Sequence, residues 1–370
     1  MRVGLVVPGG VDRSGTHRVI PYLVELIGAL ARRHDVRVVA LRQEPTPGTW
    51  MLAGAEVRNI GARPRRLRAL AYLREEHRRR PFDVLHGFAT VPQGVLVALA
   101  GRVLGVPWVI DAPGGEFADL ADIGFGGWRR APGRFWVRLA CHGAAACAVP
   151  SEQALWLARA RGVHAIRLPL PVSSGAWPAR PPCPRTGQAR LAWVGSLNRV
   201  KDPSLLLDTA LALRELRLDF HLDVVGEDFL AGAVHRRART LGLESRVTFH
   251  GFLTQAALRE LLGRTTLLLV TSRFDGGPRV VLEAASLGVP TVGTTVGYVA
   301  EWSPDAARAV PVRTPEALAE AVAEVLRDEE SRQALGRNAL VRLNEHDCEQ
   351  VASRWESVYL QAVERRVDRD

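Results

Sequence analysis

The chain alternates between short apolar runs, typical of buried strands, and longer segments whose apolar residues recur at helical spacing. Residues 2–7 form the first apolar run, and the apolar positions from Ile20 to Leu30 then follow a helical period. Further strands in the first half are predicted at Val36–Leu41, Phe82–His86, Trp108–Asp111 and Ala144–Pro150. Strands that alternate with helices predict a parallel, doubly wound α/β sheet.

This alternation stops at a proline-rich segment and then begins again. Six prolines lie between Pro169 and Pro184, a density that allows neither a helix nor a central strand. Beyond them, strands are predicted at 191–194, 220–225, 247–250, 266–270 and 291–293, and helices at 203–214, 232–241, 255–263, 278–287, 315–327, 331–342 and 349–365. With 370 residues, the chain exceeds one typical core. We therefore predict a Rossmann-like domain at 1–170, a linker at 171–187, a second Rossmann-like domain at 188–348, and a terminal helix at 349–370 that packs back on the first domain.

Positive charge is concentrated in the first half of the chain. Residues 1–170 contain 24 arginines against 13 acidic residues, whereas residues 171–370 contain 25 basic and 26 acidic residues. This asymmetry indicates an anionic partner: a phospholipid, a nucleic acid, or a phosphorylated or acidic substrate. Arg58–Arg80 is intensely basic, and Leu67, Leu70, Ala71 and Leu73 mark part of it as an amphipathic helix. Trp128–Arg138 interleaves aromatic residues with arginines, so both segments are hypothetical contacts with an anionic membrane, and a solvated helix face is the alternative for the first. No nucleic-acid-binding motif is recognisable, and we expect no nucleic-acid partner.

Cysteine usage and hydropathy indicate where such a protein works. The four cysteines form no C-x-x-C pair and no metal-ligand spacing, which favours reduced thiols in the cytoplasm. No apolar stretch reaches the ~20 residues that a membrane-spanning helix needs. A strand-like run begins at Met1, so no signal peptide is expected. We predict a cytoplasmic protein, with peripheral attachment to the inner face of the membrane as a further hypothesis.

Lys201 is the only lysine among 49 basic residues. It follows an apolar run and a polar turn that begins at Gly195, and a leucine-rich helical segment comes next. A compact ammonium can approach a phosphate where a planar guanidinium does not fit. The turn is therefore a candidate phosphate site, and a solvated lysine without a function is the alternative.

Two carboxylates lie in the segment that follows the apolar run 267–270. Asp275 precedes a Gly276-Gly277-Pro278 turn, and Glu283 comes eight residues later, within a predicted helix. Ionised carboxylates only accept hydrogen bonds, so a pair at different depths can hold separate hydroxyl groups of one ligand. The alternatives are a turn residue for Asp275 and a structural helix carboxylate for Glu283.

These segments resemble those of the retaining, nucleotide-sugar-dependent glycosyltransferases of the GT-B fold, the family 4-like, group 1 enzymes. Residues 195–201 resemble the family's Gly-x-Leu-x-x-x-Lys turn, residues 275–283 resemble its E-x7-E signature, and the Gly9-Gly10 loop resembles its first half. The resemblance implies two Rossmann-like α/β/α domains that face each other across a cleft. The first domain would bind the acceptor and the second the donor.

The resemblance also implies residue roles. Lys201, helped by Arg199, would bind the donor diphosphate, Asp275 would contact the transferred sugar, and Glu283 would accept from the ribose hydroxyls. The nucleobase would lie beside residues 250–253, and the first domain would close over the diphosphate through its glycine loop. The residues implied in donor binding are Gly9, Gly10, Ser196, Gly251, Phe252, Gly276, Gly277, Pro278 and Glu283.

The implied reaction needs no metal and no cofactor, since the donor phosphate would deprotonate the acceptor during front-face attack. The donor would be a UDP-, GDP- or ADP-linked sugar, and the acceptor a sugar, a lipid-linked molecule or a small molecule. Three positions depart from the family pattern: Ser196 replaces an arginine, Asp275 a glutamate, and Pro113 a histidine. The alternatives are therefore a nucleotide-sugar 2-epimerase of the same fold, and a degenerate, non-catalytic sugar-nucleotide-binding protein.

Overall fold

A computed structural model describes residues 1–61 and 63–367 of the chain. It contains two compact domains, the first formed by residues 1–171 with the C-terminal segment from Asp347, and the second by residues 172–346. The change of domain at Pro171 thus precedes most of the proline-rich segment, which belongs to the second domain.

The first domain is built on an eight-stranded sheet. Its strands are β1 (Arg2–Val7), β2 (Asp35–Ala40), β3 (Gly48–Leu52), β4 (Ala55–Asn59), β5 (Val84–Phe88), β6 (Trp108–Asp111), β7 (Ala146–Val149) and β8 (Ile166–Arg167). Its helices before the C-terminal segment are α1 (Pro21–Ala31), α2 (Arg65–Arg79), α3 (Val95–Leu104), α4 (Ala131–Cys141) and α5 (Glu152–Ala160), with short turns of helix at Thr90–Gly94 and Ala121–Ile123. The strand order is β3-β4-β2-β1-β5-β6-β7-β8. The chain adds β2, β4 and β3 on one side of β1 and β5 to β8 on the other, so the order reverses between β1 and β5.

The hairpin of β3 and β4 was not predicted, and its two strands pair antiparallel at the edge of the otherwise parallel sheet. Ala53 and Gly54 connect them with φ angles of 50° and 85°, the left-handed conformation that a two-residue hairpin turn requires. Arg58 lies on β4, whereas the part of the basic segment Arg58–Arg80 that was predicted to be helical lies in α2. The helix begins after Pro64 and buries Ala69 and Leu73.

The second domain has a six-stranded parallel sheet, and helices alternate with its strands along the chain. Its strands are β9 (Ala189–Val194), β10 (Phe220–Val225), β11 (Val247–Gly251), β12 (Leu267–Val270), β13 (Thr291–Thr294) and β14 (Arg308–Val310). Its helices are α6 (Pro203–Glu215), α7 (Ala233–Thr240), α8 (Gln255–Leu262), α9 (Arg279–Ser286), α10 (Gly297–Trp302), α11 (Pro315–Arg327) and α12 (Glu329–Arg342), with a short turn of helix at Leu343–His346. The strand order is β11-β10-β9-β12-β13-β14. Neither α10 nor β14 was predicted, because each is shorter than the periodic patterns that identify longer elements.

The terminal helix, α13 (Cys348–Val367), packs on the first domain as expected. Trp355 and Tyr359 are buried in that domain's core, and the Tyr359 hydroxyl lies 2.7 Å from Nδ1 of buried His86 on β5. Arg33 on the loop after α1 pairs with Glu349 at 3.0 Å. Aromatic burial therefore attaches the helix, and the peripheral ion pair adds little.

Candidate functional site

The site in the second domain lies where the strand order reverses. From β9 the chain builds β10 and β11 on one side, whereas β12, β13 and β14 follow on the other side of β9. Loops that leave the carboxyl ends of the two central strands diverge at such a point and leave a crevice for ligands. The loops concerned are 195–202 after β9 and 271–278 after β12, which contain the predicted lysine and the predicted first carboxylate.

The backbone at Lys201 is held by three neighbours. The Asn198 side-chain oxygen accepts from the amides of Val200 and Lys201, both at 3.0 Å. The Thr271 hydroxyl donates to the Lys201 carbonyl at 2.9 Å, and the Arg273 amide donates to the Val200 carbonyl at 2.7 Å. The loop that presents the lysine is therefore tied both to itself and to the end of β12.

The side chains of Lys201 and Asp275 form an ion pair. They are 28% and 14% exposed, so both charges are largely withdrawn from water. An ion pair is strengthened by such partial desolvation, and each charge lowers the cost of burying the other. The structure thus brings together two residues that the sequence places 74 positions apart.

Glu283 lies in the middle of α9, with its side chain only 8% exposed. Its Oε1 accepts from Nε of Arg279 at 2.8 Å, one helical turn earlier. Sequence reasoning did not single out Arg279, although its i,i+4 spacing from a carboxylate was a readable signal. Arg279, at the start of α9, therefore fixes the orientation of the Glu283 carboxylate.

The turns after β9, β10 and β11 lie side by side. The Gly195 amide donates to the Val225 carbonyl at 2.9 Å, and the Gly226 amide donates to the Gly251 carbonyl at 2.8 Å. Gly226 has φ 141°, and a Cβ there would lie 2.0 Å from the Gly195 carbonyl oxygen, so only glycine fits. Ser196 and Phe252 belong to these adjoining turns, and the Phe252 ring is exposed.

Arg199 and the glycine–proline turn differ in their surroundings. Arg199 is exposed on the loop, whereas Gly276, Gly277 and Pro278 are buried just before α9. Gly297, at φ 43°, lies against this turn, because a Cβ there would be 2.8 Å from the Asp275 carbonyl oxygen. Gly297 is therefore a further residue that the geometry of the turn requires.

Gly9 and Gly10 lie in the first domain, in the loop after β1, where the strand order reverses between β1 and β5. They line a cavity of about 990 Å³. Gly10 has φ 75°, and a Cβ there would approach Ile20 to 2.5 Å, so the loop needs glycine for its conformation and for close packing.

Asp111 and Glu116 of the first domain were not among the predicted site residues. Burial and, as the smaller effect, the nearby Glu116 carboxylate together raise the pKa of Asp111, at the end of β6, to about 8. Burial also raises the pKa of Glu116 to about 7 against two backbone hydrogen bonds that lower it. Glu116 lines a separate cavity of about 540 Å³ and ends the Pro113–Glu116 segment that departs from the family pattern. Nothing in a single sequence distinguishes these buried carboxyls from exposed ones.

The hypothetical membrane-contact segment Trp128–Arg138 is only partly exposed. Trp128 is buried beneath the guanidinium of Arg138, at 5.0 Å from its ring centre, whereas Phe135 and Trp136 are exposed. Among the described residues, no helix is long and apolar enough to cross a bilayer. Within the same residues, no group of three or more His, Cys, Asp and Glu side chains is placed to hold a metal ion. Membrane contact, location and independence of metals remain predictions.

Both domains match glycosyltransferase families. Residues 19–172 match the family model for the glycosyl transferase 4-like domain, and residues 182–342 match the model for glycosyl transferases group 1. The two matches correspond to the two α/β domains.

Individual proteins show the same relationship. Glycogen synthase of Mycobacterium tuberculosis is 30% identical over 194 residues, which cover 52% of this chain and 47% of that protein. N-acetyl-alpha-D-glucosaminyl L-malate synthase of Bacillus anthracis is 30% identical over 38% of each chain. The chain thus matches about half the length, or less, of these curated relatives.

Solved structures show the fold over nearly the full length. Sucrose-phosphate synthase from Thermosynechococcus elongatus superposes with a TM-score of 0.80 at 17% identity, over 98% of both chains. HepE of Anabaena in complex with UDP-glucose superposes with a TM-score of 0.74 at 16% identity, over 96% of this chain and 100% of that one. The fold is therefore the GT-B fold, with two parallel-sheet α/β domains.

Proposed function

Because the chain joins a glycosyl transferase 4-like domain to a group 1 glycosyl transferase domain, we propose that it transfers a sugar from a nucleoside-diphosphate sugar to an acceptor hydroxyl with retention of configuration. The observation that carries this proposal is the ion pair of Lys201 and Asp275 at the strand reversal of the second domain. Glu283 lies on the helix that begins a few residues beyond this pair.

The donor site uses these charges in different ways. Lys201 faces a diphosphate as a compact cation, and Asp275 keeps that cation in position before a donor arrives. Glu283 is oriented by Arg279 to accept from hydroxyl groups of the nucleoside. The Anabaena complex with UDP-glucose supports a nucleotide sugar as the donor class.

The transfer step forms one bond and breaks one. The acceptor oxygen bonds to the anomeric carbon while the bond from that carbon to the diphosphate oxygen breaks. The acceptor proton passes to a phosphate oxygen of the departing nucleotide, on the same face of the sugar. Lys201 stabilises the negative charge that grows on this leaving group, which is electrostatic catalysis of the oxyanion-hole kind.

Nucleotide release with a panel of UDP-, GDP- and ADP-sugars tests this function. We expect one donor class to be turned over when an acceptor is present, and kcat to fall at least about a hundredfold in Lys201→Ala, because a charged contact to the leaving group is lost. Glu283→Gln should raise KM for the donor with a smaller effect on kcat, since it contacts a part of the donor that does not react.

Arg239→Ala, which removes an exposed cation of the same domain, is the matched control and should retain full activity. Unchanged turnover in Lys201→Ala would overturn the assignment of the leaving-group cation. Nucleotide binding without turnover would instead support a degenerate binding protein, and interconversion of donor sugars without an acceptor would support an epimerase.

A further inference from the structure

The large cavity of the first domain is unusually rich in arginine. Its wall includes Arg18, Arg42, Arg63, Arg65 and Arg66, together with the Gly9-Gly10 loop. Arg18, Arg42 and Arg63 come from loops that follow β1, β2 and β4, next to the reversal of strand order between β1 and β5, and Arg65 and Arg66 begin α2. The cavity thus has the position in which doubly wound sheets bind ligands.

Three of these arginines have no carboxylate to balance them among the residues that the structure describes. Arg18 pairs with Asp12 at 3.3 Å, and Arg65 donates to the Gly61 carbonyl at 2.7 Å. Across residues 1–61 and 63–367, by contrast, Arg42, Arg63 and Arg66 take part in no ion pair. Uncompensated guanidinium groups that line one cavity attract an anion, and their planar forks match the oxygens of a phosphate.

The first turn of α2 breaks the usual rule for helix charge. It contains Arg65 and Arg66 and no acidic residue, and Pro64 supplies no side-chain cap. The positive end of the helix dipole disfavours cations at this position. Local stability therefore does not account for the arginines, whereas the helix amides and the guanidinium groups all favour an anion at the same wall.

A buried amide adds a polar group to this wall. Gln93, which lines the cavity just after β5, is only 2% exposed, and its Oε1 finds no hydrogen-bond partner among the described residues. A buried acceptor without a partner is unfavourable, and a hydroxyl donor on a bound molecule would offset that cost. The wall therefore offers both cations for an anion and an acceptor for a hydroxyl.

An apolar groove continues from the arginine-lined cavity. The two share Arg66 and Pro92, and the groove is otherwise lined by Leu70, Val91, Val95, Leu96, Leu99 and Trp136. Among the side chains along the groove, only that of Arg66 is charged. Its continuity with a cationic pocket indicates a ligand that has an anionic group at one end and a hydrocarbon chain at the other.

We propose that this cavity and groove bind a lipid phosphate as the acceptor, or as the carrier to which the acceptor is linked. Arg42, Arg63 and Arg66 hold the phosphate, and the hydrocarbon chain lies along the groove past Trp136. The role of the lipid phosphate as acceptor rests on the proposed glycosyl transfer, whereas its binding does not.

Calorimetric titration of the whole protein with decyl phosphate below its micelle concentration tests the proposal. We expect decyl phosphate to bind at least about tenfold more tightly than butyl phosphate, because six more methylenes leave water. Inorganic phosphate should bind more weakly still, and neutral decyl glucoside should not bind at this site. Arg63→Gln and Arg66→Gln should each weaken decyl phosphate about tenfold, since each loses a charged hydrogen bond.

Two residues of α5 supply matched controls in the same domain. Arg159→Gln removes an exposed arginine that does not line the cavity, and it should leave the affinity for decyl phosphate within about twofold of the parent. Trp136→Ala should weaken decyl phosphate about fivefold and leave butyl phosphate unchanged, since it removes apolar contact area only. Trp156→Ala, at an exposed tryptophan outside the groove, should change neither.

Equal binding by the parent and both arginine variants would overturn the proposal, as would inorganic phosphate binding as tightly as decyl phosphate. The Lys201→Ala variant separates this inference from the proposed function, because it should bind decyl phosphate normally while losing turnover. If the protein binds decyl phosphate through its arginines but turns over no nucleotide sugar, the lipid-phosphate site stands and the proposed glycosyl transfer does not.

Discussion

The two domains present similar crevices with opposite electrostatic designs. At the reversal of the second sheet, the cation Lys201 is paired with Asp275 and its loop is tied to β12. At the reversal of the first sheet, Arg42, Arg63 and Arg66 line a cavity without ion-pair partners in the described residues. The first design compensates its charges within the protein, and the second leaves them for a ligand.

This difference separates stability from recognition. Removing one member of a buried, balanced pair leaves an uncompensated charge, so changes in the second domain should cost folding free energy as well as activity. Removing an exposed, unbalanced arginine leaves nothing unpaired, so it should weaken binding without a loss of folding free energy. Substitutions in the two domains can test this contrast directly.

Arg279→Met should have the largest effect on stability. It leaves the carboxylate of Glu283, only 8% exposed, without the arginine one turn earlier. We expect a loss of about 3 kcal/mol in the free energy of unfolding, measured by urea denaturation. Arg239→Met breaks an exposed pair with Glu244 and should cost less than about 0.5 kcal/mol. Similar losses in the two variants would show that the Arg279–Glu283 pair contributes no more to the free energy of unfolding than a surface pair.

Thr271→Val should have an intermediate effect, since it preserves shape and removes the hydroxyl. That hydroxyl accepts from the Trp193 indole at 3.0 Å and donates to the Lys201 carbonyl. We expect a loss of about 2 kcal/mol in stability and weaker binding of the preferred nucleoside diphosphate, because a buried N–H loses its partner and the lysine loop loses its tie. Thr271→Ser retains the hydroxyl and should restore nucleotide affinity. If the serine variant binds as weakly as the valine variant, then packing rather than the hydrogen bond positions Lys201.

The contrast also explains what the sequence could reveal. The lysine turn and the Asp275–Glu283 segment are each contiguous in sequence, and each follows a recognisable apolar strand, so both could be singled out from the sequence. The structure adds that Lys201 and Asp275 form an ion pair. The arginine cavity has no contiguous motif, because its wall comes from loops after several strands. Its assembly also depends on the hairpin of β3 and β4, which was missed because Ala53-Gly54 is not a typical turn pair.

The substitution with the smallest expected effect on folding is Arg66→Gln, and its sign is informative. Arg66 lies in the first turn of α2, where the helix dipole disfavours a cation, so its removal should raise the free energy of unfolding by about 0.3–1 kcal/mol at low salt. Arg159→Gln, in the last turn of α5, should lower it by a similar amount, because a cation is favourable there. Both differences should shrink in 1 M salt, which screens exposed charges. Thermal unfolding of the parent and the two variants at both salt concentrations measures this. A loss of stability in Arg66→Gln would mean that the arginine stabilises the fold of its own domain, and the contrast between the two crevices would then fail at this residue.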